Sequence, residues 1–415
     1  MTTTNLRLRH TNRRLARPTR RESGLEKNRS TLVQDGVAGV ARRALRGVAG
    51  GRLAAFPVAV RFWDGSVMPA CAGAVGAPTV LVRNRRPLSE LLHEPNEIGL
   101  TRAWVQRDLD VEGDLEAVVA LRGRQHSVAR DREAVRHHYE LSNHFYELML
   151  GASMVYSCAC FEDDDGSLEQ AQERKLEMIC QKLRLAPGER LLDIGCGWGS
   201  LLLHAARRHG VQGVGVTLSD AQAELARERI ARAGLSRQVE IRVRDYRQVD
   251  DGPYDKIASV GMYEHVGRDR LDLYVSHIDR LLRPGGLFLN HGITRLRQRP
   301  RGEDTFISRY IFPDGELHPV TDVLRSMEIG GLEIRDVESL REHYVLTLRR
   351  WIANLDAQRE SAIREVGEMR LRAWRLYLLG CAHAFATGQI SVFQTLSARG
   401  GADHGLPLDR RALMA

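Results

Sequence analysis

The sequence predicts an α/β protein: a mostly parallel sheet covered by helices on both faces, preceded by a smaller N-terminal α+β domain. Three observations carry this. From residue 190 onward, short apolar runs alternate with helical patterns. The stretch "ERLLDIGCGWG" (189–199) ends an apolar run at Asp193 and then places glycines at 195, 197 and 199. Between 56 and 84, short β-like runs are separated by Gly and Pro.

The elements follow in order. Residues 1–30, rich in Arg and Thr with little apolar periodicity, predict a basic disordered arm. "FPVAVRFWDGSVMP" (56–69) and "PTVLVRN" (78–84) supply strands of a domain spanning 31–125, which closes on a helical "GDLEAVVALRGRQ" (113–125). Polar "HSVARDRE" is the linker to a second domain, 126–415. Its first helical stretch, 132–150, breaks around Leu141–Asn143. Strands are expected at "RLLDIG", "GVGVTL" (213–218), "QVEIRVRDY" (238–246), "YDKIASVG" (254–261) and "GGLFLNHGI" (285–293). "SLLLHAARRHG" and "DAQAELARERIARAG" are the intervening helices. Two long amphipathic helices, "HYVLTLRRWIANLDAQRESAIREV" and "MRLRAWRLYLLGCAHAFATGQ", precede a final strand, "ISVFQTLSA".

Composition narrows the classes. A chain of 415 residues, 43% apolar and 27% charged, has enough length for two domains with a sizeable core. No run of about 18 apolar residues predicts a spanning helix, and the N-terminal stretch lacks the apolar core of a secretion signal. Six scattered cysteines without CxxC pairs form neither a disulfide framework nor a zinc site, and fit a reducing cytoplasm. Residues 1–52 hold thirteen Lys or Arg against three acids, a local balance of +10, so the rest of the chain sums to about −2 within the net +8. Such an arm suits nucleic acid or the anionic lipid head groups of a membrane surface, and a solvated disordered tail is the plain alternative. Nucleic acid fits poorly as a substrate, because the basic excess is not around the catalytic motifs.

The glycine pattern is G-x-G-x-G, not the G-x-G-x-x-G of a dinucleotide site, and it lacks the Lys and Ser/Thr of a P-loop. Open α/β sheets bind ligands beyond the carboxyl ends of their strands. Gly195, Gly197 and Gly199 there let a ligand approach the backbone, with Asp193 as acceptor for a cationic or hydroxyl group. A nucleoside without phosphates fits, and S-adenosylmethionine is the expected one. Thr217 can meet a ribose, and Asp245 or Tyr246 can flank an adenine. Gln222 can reach the cofactor, although Ser219 and Gln222 also form an S-x-x-Q capping box.

Together these segments resemble the cyclopropane-fatty-acyl-phospholipid synthase family of S-adenosylmethionine-dependent methyltransferases, which includes the mycolic acid cyclopropane synthases. The matching motifs are "NEIGLTRAWVQRDLDVEGDL" (96–115), "HYELSNHFYELML" (138–150), "MVYSCACF" (154–161), "LLDIGCGWGS", "GVGVTLSDAQ", "SVGMYEHVG" (259–267), "RPGGLFLNHGIT", "RYIFPDGELHP" (309–319) and "GCAHAF". The resemblance implies a Rossmann-like class I methyltransferase domain with a seven-stranded sheet. It implies cofactor contacts from Tyr156 and Ser157 beside those already named. It further implies a bicarbonate ion held by Cys158, Glu264, His291 and Tyr310, with the Ile293 backbone nearby and Cys381 as a further active-site residue.

The implied reaction transfers a methylene to the cis double bond of an unsaturated phospholipid acyl chain. It leaves a carbocation that must lose a proton, which Phe145, Tyr263 and Phe312 can stabilise through their ring faces. A homodimer at the inner face of the membrane, with the N-terminal domain engaging lipid, is implied as well. The sequence departs from the family at Cys160, where an aromatic is usual, and at His144, where an Asp is usual. "RDYR" lacks the Trp-Glu pair of the mycolic branch. Methyl or methylene branching of the same chains, amine N-methylation, and a catalytically silent lipid-binding module are the competing readings.

Overall fold

The computed structural model describes residues 36–41, 58–70, 77–88, 97–115, 141–296 and 316–413. Two compact units emerge, 1–84 with 111–113, and 85–110 with 114–415. Arg85–Asp110 thus belongs to the second unit, inside the stretch that the sequence groups as 31–125. The arm, the 126–133 linker, residues 116–125 of the first expected helix and 132–140 of the next lie outside the described residues, as do Tyr310 and Phe312.

In the first unit, β1 (Ala59–Arg61) pairs antiparallel with β2 (Val67–Met68) and parallel with β3 (Thr79–Val82). The sheet runs β2-β1-β3-β4, and of β4 (Leu109–Glu112) this unit holds Val111 and Glu112. The β1–β2 turn is tight: Phe62 N donates to Ser66 O at 2.9 Å, and Gly65 takes φ +80°. Val58, Val60, Phe62, Met68 and Val82 are buried beneath it.

The second unit holds a seven-stranded sheet: β5 (Arg190–Ile194), β6 (Gln212–Thr217), β7 (Val239–Val243), β8 (Tyr254–Val260), β9 (Leu282–Arg295), β10 (Leu332–Ser339) and β11 (Ile390–Arg399). Their order is β10-β11-β9-β8-β5-β6-β7. Strands β7-β6-β5-β8-β9 are parallel, whereas β11 is antiparallel to both β9 and β10. The chain runs outward from β5 to β7 and then returns to β8 beside β5. That reversal opens a crevice at the carboxyl end of β5.

Strand β10 was not expected from the sequence. "LEIRDVES" carries four charges, and as an edge strand it buries only Leu332 and Asp336, so its apolar signal is weak. The two C-terminal helices fall at Arg341–Ala357 and Arg359–Ala386, and the second is interrupted at Gly367, whose φ is +77°.

Helices α1 (Glu97–Val105), α2 (Asn143–Leu150), α3 (Leu168–Lys182), α4 (Ser200–His209) and α5 (Asp220–Arg232) precede these. Ser142, Ser167 and Ser219 cap α2, α3 and α5, each accepting from the backbone N–H three residues on. The break expected at 141–143 is therefore a helix start. In α1, Trp104 packs under the Arg372 guanidinium at 4.1 Å, while Arg372 Nε donates to Trp104 O at 3.0 Å.

Candidate active site

The three glycines lie where β5 hands over to α4. Gly195, Gly197 and Gly199 have φ of +80°, +52° and +75°, which explains glycine at all three. Gly195 N and Cys196 N both donate to Val216 O, at 2.9 and 3.0 Å, so the loop is tied to the end of β6. Behind it, Arg229 Nη1 donates to Trp198 O and Ser200 Oγ, and its Nη2 to Ser153 O. Asp193 is buried, and its burial pushes the carboxyl up to about 7 against the opposing pull of Lys175.

At the end of β6, Thr217 Oγ1 donates to Gln222 Oε1 at 2.8 Å and accepts from Ser219 N at 3.2 Å. The capping reading of Ser219 holds in half. Its hydroxyl caps α5, but the Gln222 side chain turns to Thr217 instead of back to the Ser219 N–H. Leu218 beside them is 74% exposed, an apolar face that sequence reasoning missed because it reads as the last residue of a strand. Tyr246 follows β7, with its ring 5.3 Å from Tyr274 and its carbonyl accepting from His277 Nε2.

A second set of groups gathers at the ends of β8 and β9. Glu264, in the turn after β8, is buried, and Oε1 accepts from Ile293 N at 2.7 Å. Its Oε2 has no partner among the described residues, and burial pushes this carboxyl up to about 7. Tyr263 OH donates to Ile293 O at 2.6 Å, so Ile293 is clamped through both backbone groups.

His291 lies two residues along the same face of β9 and is directly paired with Gln394 of β11. Lys182 Nζ donates to Gln394 Oε1 at 2.9 Å, which makes the amide nitrogen the end facing His291 Nδ1, at 3.2 Å. Nδ1 must then accept, and the imidazole proton sits on Nε2. Burial, reinforced by Lys175 and Lys182, holds His291 down at about 3, so the ring is neutral at physiological pH. Its Nε2–H is a buried donor without a partner among the described residues. Gln394→Leu is expected to lower turnover by roughly tenfold, the equivalent of the 1–3 kcal/mol for an unsatisfied buried group. Nitrogen NMR of His291 should show a mixed tautomer in that variant, and an unchanged tautomer would contradict the relay.

The segment 154–161 faces this region. Lys175 Nζ donates to Ser157 Oγ at 3.0 Å, and Gln172 Nε2 to Ser157 O at 3.0 Å. Burial lowers Lys175 to about 8. The Tyr156 ring sits 5.3 Å from Trp351, 5.7 Å from Tyr146 and 6.3 Å from Trp374. Phe145 is wholly buried, 5.5 Å from Trp374. Cys158 is fully buried, with Sγ donating to Ala159 O at 3.2 Å and Leu340 O at 3.5 Å. Burial pushes this thiol well up, so it is a neutral donor.

Cys381, half-buried on the last helix, lies in electrostatic range of Tyr344 and Tyr377. Tyr344 also feels Cys158 and Glu264 and was not singled out from the sequence. It lies on an amphipathic helix where an aromatic reads as core. Of the two departures from the family pattern, His144 is exposed beside Glu147 and Cys160 is half-buried.

A family model described as mycolic acid cyclopropane synthetase matches residues 126–395. The chain belongs to this family. Among relatives of this synthetase-family chain, a probable fatty acid methyltransferase of Pseudomonas putida is 41% identical over 85% of the chain and 95% of its own length. The cyclopropane-fatty-acyl-phospholipid synthase of Escherichia coli K12 is 40% identical over 66% of the chain and 70% of its length. Among solved structures, mycolic acid cyclopropane synthase CmaA1 in complex with SAH and CTAB matches with a TM-score of 0.61 and 36% identity. That match covers 65% of this chain and 99% of that one.

The chain is an S-adenosylmethionine-dependent methyltransferase with the Rossmann-like class I fold expected. Its crevice suits that cofactor. Gly195 is exposed and Gly197 has open space on its side-chain side, so a ligand can lie against the backbone, while Leu218 offers an apolar face. Asp193, Gly195, Gly197, Gly199, Thr217, Gln222 and Tyr246 converge at the ends of β5, β6 and β7. Tyr156 and Ser157 belong to the aromatic side.

The raised Asp193 has a stability consequence. Its folded value of about 7 exceeds the ordinary 3.8, so its contribution is full below about 3.8 and is lost as pH rises through about 7. Asp193→Asn should therefore gain on the wild type across that window, by up to about 1.4 kcal/mol per pH unit. Denaturant midpoints of both proteins at pH 5 and pH 8 test this, and a constant difference would refute it.

Proposed function

We propose that the enzyme transfers a methylene group from S-adenosylmethionine to the cis double bond of unsaturated phospholipid acyl chains, forming cyclopropane fatty acids. The observation that supports it most is the pair of unpartnered, buried polar atoms, Glu264 Oε2 and His291 Nε2, anchored through Ile293 and β9 beside an aromatic-rich wall.

The cofactor supplies an electrophilic methyl group. An alkene carries no proton for the protein to remove before attack, so the demand falls after transfer, when a carbocation must lose a proton. His291 offers a neutral N–H donor and Glu264 a carboxyl near its midpoint at neutral pH. That pair suits a small ion with one acceptor and one donor oxygen, and bicarbonate has both. Bicarbonate held there would supply a base beside the cation. Glu264 would accept its O–H and His291 would donate to its oxyanion.

The Cys158 thiol spends its proton on backbone carbonyls and thereby shapes the wall. Tyr344 extends that wall toward Glu264, and Cys381 lies alongside. The rings of Phe145, Tyr156 and Tyr263 can lower the energy of a nearby cation by about 0.5–2 kcal/mol each.

Phospholipid at a membrane surface is the proposed acceptor, engaged through the basic arm and the N-terminal unit, with the enzyme acting as a homodimer at the cytoplasmic face. Among the described residues no helix is long and apolar enough to cross a membrane. The Pseudomonas putida relative supports a second reading, methyl or methylene branching of the same chains.

Fatty-acid profiling of a heterologous host with and without the gene tests both. A new fatty acid 14 mass units heavier than its unsaturated precursor (one CH2), with the fragmentation of a ring, supports cyclopropanation. The same mass with exocyclic-methylene fragmentation supports branching, and an unaltered lipid profile rejects both.

A further inference from the structure

Helices α3 and α4 carry a set of groups on the side of the fold that the chemistry above does not use. Glu177 and Cys180 are three residues apart on α3 and so share one face. His204 lies on α4, and His209 ends it just before Gly210 reverses the chain. His204 Nε2 and His209 Nε2 both converge on Glu177 Oε2, at 2.8 and 3.2 Å. Ligand atoms of Cys180, His204 and His209 lie within 4.8 Å of one another.

A hydrogen-bonded Glu–His pair needs no thiol, and a packed cysteine needs no histidines. The convergence of a buried thiol with two imidazoles that already share one carboxylate is what requires explanation. We propose that Glu177, Cys180, His204 and His209 form a structural site for a late first-row divalent cation, zinc foremost, which clamps α3 to α4.

The donor set is one sulfur, two imidazoles and one carboxylate, the mixture that suits zinc in preference to magnesium or calcium. A tetrahedron built on Zn–N and Zn–S bonds of about 2.0–2.3 Å has edges of about 3.3–3.8 Å. The ligand atoms of Cys180, His204 and His209, at most 4.8 Å apart, therefore need to draw together by up to about 1–1.5 Å to reach it, with Glu177 already against both imidazoles. Access is graded: the Cys180 residue is fully buried, and the side chains of His204, His209 and Glu177 are 10%, 19% and 34% exposed. The thiol forms the floor and the carboxylate the mouth. Arg208 and Glu173 pair at 3.0 Å on the rim.

Protons balance simply. Without metal, each Nε2–H donates to Glu177. On binding, each imidazole proton moves from Nε2 to Nδ1, which frees the Nε2 lone pair. The Cys180 thiol releases one proton to solvent. One proton should therefore leave per ion bound. The clamp would act at a distance. Helix α4 begins at Ser200, directly after the glycine loop, and α3 carries Lys175 to Ser157 and Lys182 to Gln394.

Titration of the full-length, tag-free chain with Co(II) tests the site. The expected result is one equivalent bound, with the sulfur-to-cobalt charge-transfer band and the intense visible bands of a four-coordinate ion. Zinc should displace it and raise Tm, reversibly with EDTA. His204→Gln/His209→Gln is expected to weaken binding by more than about 100-fold, since even a lost outer-shell partner costs about 10–100-fold. Cys180→Ala should abolish the sulfur band. Because it could disturb the core, the single His209→Gln variant at the rim serves beside it, with an expected loss of at least about tenfold. Binding without a sulfur band, binding that survives the double substitution, or absence of binding to the folded wild type each overturns the proposal.

Discussion

Glu264→Gln is expected to reduce ring formation by about 10²–10⁴-fold, the range for loss of a positioned proton acceptor. The substitution is nearly isosteric. The amide oxygen still accepts from Ile293 N, where Oε1 now sits at 2.7 Å, so the β8–β9 junction keeps its shape. What changes is the free corner. An acceptor at the position of Oε2 becomes an N–H donor, pointing the same way as the donor of His291. Two donors can still hold an anion, but neither can take a proton from it.

Cofactor affinity, measured by calorimetry, should remain within about twofold, because the hydrogen bond of Glu264 runs to Ile293 of β9 and not to the glycine loop. The wild-type rate should rise with pH through about 7 as this carboxyl ionises, and that rise should vanish in the variant. Turnover within threefold of the wild type would remove Glu264 from the proton path.

Gly292→Ala should cost the fold about 3 kcal/mol, at the upper end of overpacking. A Cβ there would stand 1.8 Å from Cε1 and 2.3 Å from Cδ1 of Tyr263. The ring cannot yield, because it is 1% exposed and its hydroxyl is committed to Ile293 O. Nor can the backbone, since Gly292 sits in the middle of β9 and is paired with Phe393. Thermal unfolding should report a Tm lower by roughly 2–4 °C per kcal/mol. Tyr263→Leu in the same chain should restore part of the loss. Gly400→Ala, where an added Cβ meets nothing within 4 Å, is the neutral control. A Gly292→Ala protein with wild-type Tm would contradict the packing of Tyr263 on β9.

Much of this was legible in the sequence, and the physical reason is locality. Glycines at alternate positions after a buried strand announce positive φ within a few residues, and the Ser219 cap acts three residues away. Glu264 and His291 were legible through the motifs around them. Their environment was not. The proton on His291 is decided by Gln394, 103 positions on, and the orientation of Gln394 by Lys182, 212 positions back. Ser157 likewise answers to Lys175, whose position in an amphipathic helix reads as solvated although it is 1% exposed. Tyr344 and β10 escaped for a related reason. Their residue types match a core helix and a polar loop, and only the fold gives them another role.

The Lys182–Gln394–His291 relay also bears on how such enzymes can be recombined. Glu338 on β10 contacts Lys182, Gln394 sits on β11 and His291 on β9, so three neighbouring strands set one imidazole. The antiparallel edge is therefore not an exchangeable module. A chimera that crosses over between Arg341 and Ile390, to import the helices over the aromatic wall from a relative, would also bring a foreign partner to His291. Grafts that retain residues 332–340 and 390–399 from the same parent as β9 should keep the reaction while exchanging the acyl preference.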